Sequence, residues 1–239
     1  MKNFIVLFFA ISVVFLQSCG NSDSLKLPSN KVWAHRVNTI AELQEKENLF
    51  EGLETDLLYS FHQNKIFVCH DVEDTIDGLT FGEWLGTLQS PQKHGYWLDI
   101  KDLNQYNCDT VVSLIKLELK KYNVEHRAFI ENSSPSVLKR IKELGMHTSL
   151  WVTNLCWTKI DTTDWISEVQ MFCDSCQPDA LSCEWRMYGA LTTFFPDKNI
   201  FLWHTPASCS PENMEITRSL CRNKSVKIVL VDYDEPCGY

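Results

Sequence analysis

Short apolar segments recur along the chain, and most are followed by a longer stretch with the spacing of an amphipathic helix. The segments are rich in β-branched residues, and several lack a clean alternation of hydrophobic and polar positions. Such runs are typical of strands that are buried on both faces of a sheet. The pattern predicts strands at residues 32–34, 52–58, 96–100, 128–131, 148–152, 180–184, 200–204 and 227–232. A further strand at residues 65–69 is predicted to pair with the second strand as a hairpin.

The stretches between these strands carry recognisable helix boundaries. Thr80 lies three residues before Glu83, which is the spacing of a capping box, and Ser134-Pro135 begins another helix. Residues 109–121 place apolar side chains on one side and lysines near the end, where the helix dipole favours positive charge. Further helices are predicted at residues 40–48, 163–173, 187–195 and 211–221.

Eight β/α units within residues 31–239 predict a single-domain α/β protein with the (β/α)8 TIM-barrel fold. A doubly wound sheet is the alternative. It is disfavoured because no glycine-rich phosphate loop follows the first strand. No internal repeat or low-complexity linker follows residue 30, so one domain is expected.

The N-terminal region has the features of an export signal. Lys2 precedes an apolar run at residues 4–15, which is short for a membrane span but typical of a signal peptide. Leu16-Gln17-Ser18-Cys19 resembles the bacterial lipobox, in which cleavage before Cys19 is followed by its lipidation. We therefore expect a signal peptide at residues 1–18, a polar tether at 19–30, and a membrane-anchored lipoprotein on the periplasmic or cell-surface side of a bacterial envelope. An ordinary signal peptide with a coincidental cysteine is the alternative.

Composition and charge narrow the partners. The chain is 44% hydrophobic and 22% charged, as in ordinary globular proteins. A formal net charge of −9 argues against nucleic acid as a partner; the sequence does not reveal the oligomeric state.

Cys173-x2-Cys176 with Cys183 nearby could suggest zinc, but no second paired motif follows. Buried thiols, or one or two disulfides, are the favoured interpretation.

Polar residues stand at the carboxyl ends of the predicted strands, where TIM barrels form their active sites. Residues two apart on a strand share a face, so Glu54 with Asp56, and Asp99 with Lys101, each form a pair. Asp99 and Lys101 could simply pair with each other. The strand-end residues are His35, Arg36, Glu54, Asp56, His70, Asp99, Lys101, Glu131 and Trp203.

The types of residue in this set indicate metal-assisted phosphoryl transfer. Carboxylates that converge at the carboxyl ends of the strands repel one another, and a hard divalent cation, which prefers oxygen ligands, relieves that repulsion. Two histidines beside it suit a general acid and a general base. Arg36 and Lys101 suit an anionic group such as phosphate.

These motifs resemble the signature of glycerophosphodiester phosphodiesterases. That family has His-Arg after the first strand, Glu-x-Asp on the second, His-Asp after the hairpin and Glu-x-Lys on the third. The resemblance implies that His35 and His70 are the acid/base pair, and that Arg36 and Lys101 bind phosphate. It also implies one Ca²⁺ or Mg²⁺ and a small phosphodiester substrate whose neighbouring hydroxyl attacks phosphorus and forms a cyclic phosphate. The implied metal ligands are Glu54, Asp56 and Asp99.

The chain departs from the family pattern in the first loop and on the third strand. Val37 stands where the family has glycine, and the loop is shortened to Val37-Asn38-Thr39. Asp99 is one methylene shorter than the usual glutamate. The segment between His70 and Asp99 is too short for the small capping insertion that the family carries there. The arrangement also looks like the menorin-type relatives of the superfamily, whose chemistry is less defined.

Two other functions remain open. A catalytically impaired barrel lipoprotein that binds a phosphorylated or glycan ligand is suggested by the shortened loop and by Asp99. A glycosidase that uses Glu54 or Glu131 as paired carboxylates is a weaker alternative. Glu131 and Trp203 are the candidates for lining a substrate cleft, and Trp151, Trp157 and Trp185 could contribute to it.

Overall fold

The computed structural model describes residues 24–71, 78–206 and 208–233. The predicted signal peptide, Cys19 and the first part of the predicted tether lie outside the described residues. In the part of the chain that is described, no helix is both long enough and apolar enough to cross a membrane.

Eight parallel strands close into a barrel, which confirms the predicted TIM-barrel fold. The strands pair in the order β1-β9-β8-β7-β6-β5-β4-β2, and a β1–β2 pairing closes the ring. β3 is antiparallel to β2 and forms the predicted hairpin outside the ring. The strands are β1 Val32–Ala34, β2 Gly52–Ser60, β3 Lys65–Val68, β4 Gly95–Ile100, β5 Ala128–Asn132, β6 His147–Trp151, β7 Ala180–Glu184, β8 Ile200–Trp203 and β9 Val226–Val231.

The helices surround the barrel and begin close to the predicted positions. The capping box between Thr80 and Glu83 is present, and Thr39 forms a second one with Glu42. These caps satisfy backbone N–H groups that the first helical turn cannot pair. The helices are α1 Ile40–Lys46, α2 Phe81–Thr87, α3 Cys108–Lys121, α4 Pro135–Glu143, α5 Thr162–Cys176, α6 Tyr188–Phe194 and α7 Pro211–Arg222.

The amino-terminal half of the barrel interior is filled by aromatic side chains. Trp33, Trp97, Phe129 and Phe201 form one buried cluster with smaller apolar residues. Gly52 makes room for it, because a Cβ there would lie 1.8 Å from Cδ2 of Trp33. The barrel interior is therefore tightly packed at this end, and the carboxyl ends of the strands are where barrels of this kind form their active sites.

Residues 24–30 lie across the amino-terminal end of the barrel. Leu25 and Leu27 pack against the aromatic cluster, and the backbone N–H of Lys26 donates to the carbonyl of His126, just before β5. This part of the predicted tether therefore contacts the domain.

Most of the cysteines in the described ranges are buried thiols, as favoured from the sequence. Cys173, Cys176 and Cys183 are buried and free, and burial raises the pKa of the Cys183 thiol well above its usual value. Cys209 is disulfide-bonded. Among the described residues, the only group of three or more side chains that could hold a metal ion consists of carboxylates and contains none of these cysteines. The zinc alternative is therefore wrong for the residues described.

Candidate active site

A cleft of about 260 Å³ opens at the carboxyl ends of the barrel strands. This volume lies just below the ~300–1,000 Å³ of typical small-molecule pockets, so the cleft suits a small ligand. Its lining brings together most of the residues that were predicted from strand ends. The lining residues are His35, Arg36, Glu54, Trp97, Asp99, Lys101, Glu131, Trp151, Trp203, Thr205 and Leu230.

Three carboxylates meet at one side of this cleft. Glu54 and Asp56 lie on β2, and Asp56 is directly opposite Asp99 on β4. One oxygen from each side chain lies within 4.8 Å of the others. Glu54 is 2% exposed and Asp56 is 1% exposed. Burial, together with the Asp56 and Asp99 charges, raises the pKa of Glu54 well above its usual value.

Lys101 neutralises part of this negative charge. Its ammonium lies 2.6 Å from Asp56 Oδ1 and 2.7 Å from Asp99 Oδ2. Burial opposes the charged form of Lys101, but the Asp99 and Asp56 carboxylates outweigh it and raise the pKa of the ammonium. The pairing with Asp99 considered from the sequence is therefore present, and a role for Lys101 toward phosphate stays a prediction.

The shortened first loop holds the carboxylates in place. Asn38 Nδ2 donates to Asp56 Oδ2 at 2.7 Å, and Asn38 Oδ1 accepts from the Asp56 backbone N–H. Arg36 has a left-handed backbone (φ 51°), which lets its N–H donate to Glu54 Oε2 at 2.6 Å. This conformation is costly for a residue with a Cβ, so the loop has a defined shape. Trp84 on α2 supports it by donating its indole N–H to the Val37 carbonyl.

His35 is oriented by a carboxylate at the end of β9. Its Nδ1 lies 2.6 Å from Asp232 Oδ1, and its Nε2 lies 3.8 Å from Glu54 Oε2. Because a carboxylate can only accept, this contact places an imidazole proton on Nδ1, so that in the neutral ring Nε2 carries the lone pair. Nε2 is the atom that faces the carboxylate cluster.

His70 is not among the residues that line the cleft. It follows β3, its side chain is 47% exposed, and its Nδ1 lies 3.0 Å from Asp71 Oδ1. Arg36 does line the cleft, although its side chain is 58% exposed and its Nε is 3.9 Å from Asp56. The structure thus groups most of the strand-end candidates at the cleft and its carboxylate cluster, and leaves His70 outside the lining.

The opposite wall of the cleft is aromatic. Trp151 on β6 and Trp203 on β8 have parallel rings, with centroids 6.4 Å apart and an interplanar angle of 8°. Glu131 on β5 lies next to Asp99 on β4 and is 8% exposed. Burial and the charge of Asp99 raise its pKa to about 8. The cleft therefore joins a charged wall to an aromatic wall.

Two residues of the site were not assigned a role from the sequence. Asp232 follows the last strand of the barrel, so the strand-end rule that selected His35 applies to it equally. Asn38 lies in a loop, where no periodicity indicates which way a side chain points. Trp157, which had been considered for the cleft, is exposed and does not line it.

The donor set fits a hard divalent cation. Glu54, Asp56 and Asp99 offer only carboxylate oxygens, which Ca²⁺ and Mg²⁺ prefer. Burial, and then the charges of Asp56 and Asp99, disfavour the ionised form of Glu54, and a bound cation would offset both effects. The carboxylates could therefore hold such an ion.

No family model and no curated protein sequence matches the chain. Solved structures share its fold. A glycerophosphodiester phosphodiesterase from Parabacteroides distasonis matches with a TM-score of 0.61 at 15% identity, over 87% of this chain and 94% of its own. An Oleispira antarctica phosphodiesterase, solved with the product sn-glycerol-3-phosphate, matches at 0.60 and 14% identity, over 87% and 95%.

A third similar structure has a different biological role. The glycerol uptake operon antiterminator regulatory protein of Listeria monocytogenes matches with a TM-score of 0.56 at 9% identity, over 88% of this chain and 96% of its own. Fold alone does not determine function, so the function must be argued from the residues of the cleft. The chain thus has the (β/α)8 fold of the glycerophosphodiester phosphodiesterases among these structures, in agreement with the resemblance of its sequence motifs.

Proposed function

We propose that this protein is a metal-dependent phosphoric diester hydrolase that acts on a glycerophosphodiester or a related small phosphodiester. The observation that carries the proposal is the position of His35. Its Nε2 faces three converging carboxylates, and its Nδ1 is held by Asp232. Structural neighbours with phosphodiesterase activity in their names support the same reaction class.

The charged wall would bind the phosphodiester. Glu54, Asp56 and Asp99 would hold one Ca²⁺ or Mg²⁺, which when bound supplies positive charge beside the phosphoryl oxygens. The guanidinium of Arg36 is exposed at the rim of the cleft and can reach an anionic ligand. Lys101 keeps Asp56 and Asp99 in position and adds a further positive charge.

His35 would act as the general base. Its Nε2 accepts the proton of the attacking hydroxyl, and the Asp232 carboxylate stabilises the imidazolium that results. The oxygen of this hydroxyl would bond to phosphorus as the P–O bond to the leaving alcohol breaks. His70, which is half-exposed beside Asp71, is the proposed general acid that would give the leaving oxygen its proton. This role of His70 does not follow from the position of His35, so a separate His70 variant has to test it.

The test is hydrolysis of a glycerophosphodiester by the purified protein with added Ca²⁺ or Mg²⁺. His35→Gln should lower kcat by about 10²–10⁴-fold, the usual contribution of a positioned acid or base. Asp232→Asn should also lower kcat, because the imidazole loses its orientation and its preferred tautomer. His62→Gln is the matched control, since His62 is an exposed histidine in the β2–β3 turn. Unchanged kcat in His35→Gln would refute the proposal.

A binding protein is the second candidate. The pairing of Lys101 with two of the three carboxylates favours it, because this ammonium already occupies part of the site. Glycerol 3-phosphate is a suitable probe. Tight binding of this probe, with no turnover across a panel of phosphodiesters, would favour the binding function over the hydrolase.

We also propose that Cys19 carries a lipid that anchors the protein to the bacterial envelope. The support is the Leu16-Gln17-Ser18-Cys19 sequence after the apolar run. Metabolic labelling with a radioactive or alkynyl fatty acid should mark the wild type and not Cys19→Ser. Equal labelling of both would refute lipidation at this residue.

A further inference from the structure

A buried hydrogen-bond network lies next to the carboxyl end of β9. The hydroxyl oxygen of Thr217 on α7 lies 2.9 Å from His204 Nδ1 and 2.7 Å from the Tyr233 hydroxyl oxygen. The same hydroxyl donates to the carbonyl of Asn213, one helical turn earlier. His204 and Tyr233 are each 3% exposed, and Thr217 is fully buried. The network therefore joins α7 to the residues that follow β8 and β9.

The directions of these hydrogen bonds follow from the single proton of a threonine hydroxyl. Because Thr217 gives its proton to the Asn213 carbonyl, it can only accept in its other two contacts. Tyr233 therefore donates its O–H to Thr217, and His204 donates its Nδ1–H. A buried network in which each contact has a donor and an acceptor holds its members in one arrangement.

Tyr233 directly follows the carboxylate that orients the proposed base. Asp232 Oδ1 lies 2.6 Å from His35 Nδ1. The strand β9 ends at Val231, whose carbonyl accepts from the His35 backbone N–H. Asp232 lies beyond the end of this strand, and its side chain is 35% exposed. The direction of its carboxylate therefore depends on the backbone at residues 232 and 233.

The side chain of Tyr233 restrains this part of the backbone. Its ring belongs to the main hydrophobic core, and its hydroxyl is held by Thr217. A fixed residue 233 limits the positions that the carboxylate of Asp232 can reach. The precision matters, because a displacement of about 1 Å in a reacting group can lower a rate by about 10²-fold.

We propose that the network of His204, Thr217 and Tyr233 positions Asp232 and, through it, His35. The proposal rests on the proposed function of His35 as the general base. It makes Thr217 and Tyr233 positioning residues, because neither lines the cleft and both act through Asp232.

The first test is the removal of a hydroxyl group, with hydrolysis of a glycerophosphodiester as the assay. Tyr233→Phe keeps the ring and removes the donor to Thr217, and it should lower kcat by about tenfold, equivalent to about 1.4 kcal/mol. KM should stay within about twofold of the wild-type value, since a general base acts in the transition state. Thr217→Val should have the same effect. Thr217→Ser keeps the hydroxyl and should stay close to the wild type.

The matched control is Tyr96→Phe, which removes another buried tyrosine hydroxyl. The Tyr96 hydroxyl donates to the carbonyl of Pro91 at 2.7 Å, near the amino end of β4. Its loss should lower the free energy of unfolding by an amount similar to that in Tyr233→Phe, and it should leave kcat unchanged. Equal losses of kcat in the two variants would overturn the proposal, because a general loss of stability would then explain both.

A double-mutant cycle tests whether the effect of Tyr233 passes through Asp232. Asp232→Asn combined with Tyr233→Phe should lose no more of kcat than Asp232→Asn alone, because the carboxylate that the hydroxyl positions is already absent. Losses that multiply would overturn the proposal, because Tyr233 would then act by another route.

Proton exchange reports the contact between His35 and Asp232 without any turnover. In protein labelled with ¹⁵N-histidine, NMR should show the His35 Nδ1 proton exchanging with water about tenfold faster in Tyr233→Phe than in the wild type. Tyr96→Phe should exchange this proton at the wild-type rate.

The outcomes separate this inference from the proposed function. Unchanged kcat together with unchanged proton exchange in Tyr233→Phe would overturn the positioning network and leave the hydrolase intact. If the wild type hydrolyses no phosphodiester, the hydrolase proposal fails, and the proton exchange alone decides whether the network positions Asp232.

Discussion

Replacing Glu54 with glutamine should have opposite effects on stability with and without a divalent cation. Two unit charges 4.8 Å apart repel by about 3.5 kcal/mol at an effective dielectric constant of ~20. Glu54 experiences this repulsion from both Asp56 and Asp99, and Lys101 offsets part of it. Glutamine removes the charge, while its side-chain oxygen can still accept from the Arg36 N–H.

Without metal, Glu54→Gln should therefore be more stable than the wild type, by at least about 1 kcal/mol. For a domain of this size that corresponds to a rise in Tm of about 2–4 °C. With Ca²⁺ or Mg²⁺ at 100 times its Kd, the wild type should gain about 2.7 kcal/mol. Its Tm should then rise by about 5–11 °C, and that of Glu54→Gln should change little.

Differential scanning fluorimetry in EDTA, Ca²⁺ and Mg²⁺ measures both effects. Glu143→Gln controls for the loss of one negative charge at an exposed position. The reasoning is refuted if neither cation raises the Tm of the wild type. It is refuted equally if Glu54→Gln is less stable than the wild type in EDTA.

Two further predictions concern the scaffold. Burial lowers the pKa of His94, and of His204, so the unfolded chain takes up protons near pH 6.5 that the folded protein does not. Relative to the wild type, His94→Gln should gain stability as the pH falls from 7.5 to 5.5 in urea titrations; a pH-independent difference would contradict this. Gly52→Ala should lose about 1–3 kcal/mol or more, because its Cβ would clash with Trp33. Gly189→Ala in α6 meets nothing within 4 Å and should gain about 0.5–1 kcal/mol, so equal Tm values for the two variants would refute the packing argument.

The fold could be predicted from the sequence because the barrel strands are buried on both faces. Their apolar runs differ in pattern from the amphipathic helices. The spacing of Thr80 and Glu83 is that of a capping box, which marks the start of α2. Each strand of the ring was predicted to within about two residues of its position in the structure.

The candidate site was predictable where it lies on the strands or directly after them. Glu54, Asp56 and Asp99 share a face and a register, so strand periodicity was sufficient to bring them together. Asn38 and His70 lie beyond strand ends, where backbone torsions set by local hydrogen bonds decide the direction of a side chain. No sequence period reports those torsions. The salt bridge from Lys101 to Asp56 depends on the pairing of β2 with β4. That pairing belongs to the tertiary structure, and the pattern of either strand alone does not indicate it.

The segment at residues 24–30 determines which way the protein would face if Cys19 is acylated. Leu25 and Leu27 fix the chain to the end of the barrel opposite the cleft, only a few residues after Cys19. A fatty acyl group at Cys19 would therefore hold the closed end of the barrel against the bilayer, with the cleft pointing away from it. Phospholipids of the anchoring leaflet would then be out of reach, and the ligands of the cleft would be molecules dissolved in the surrounding compartment.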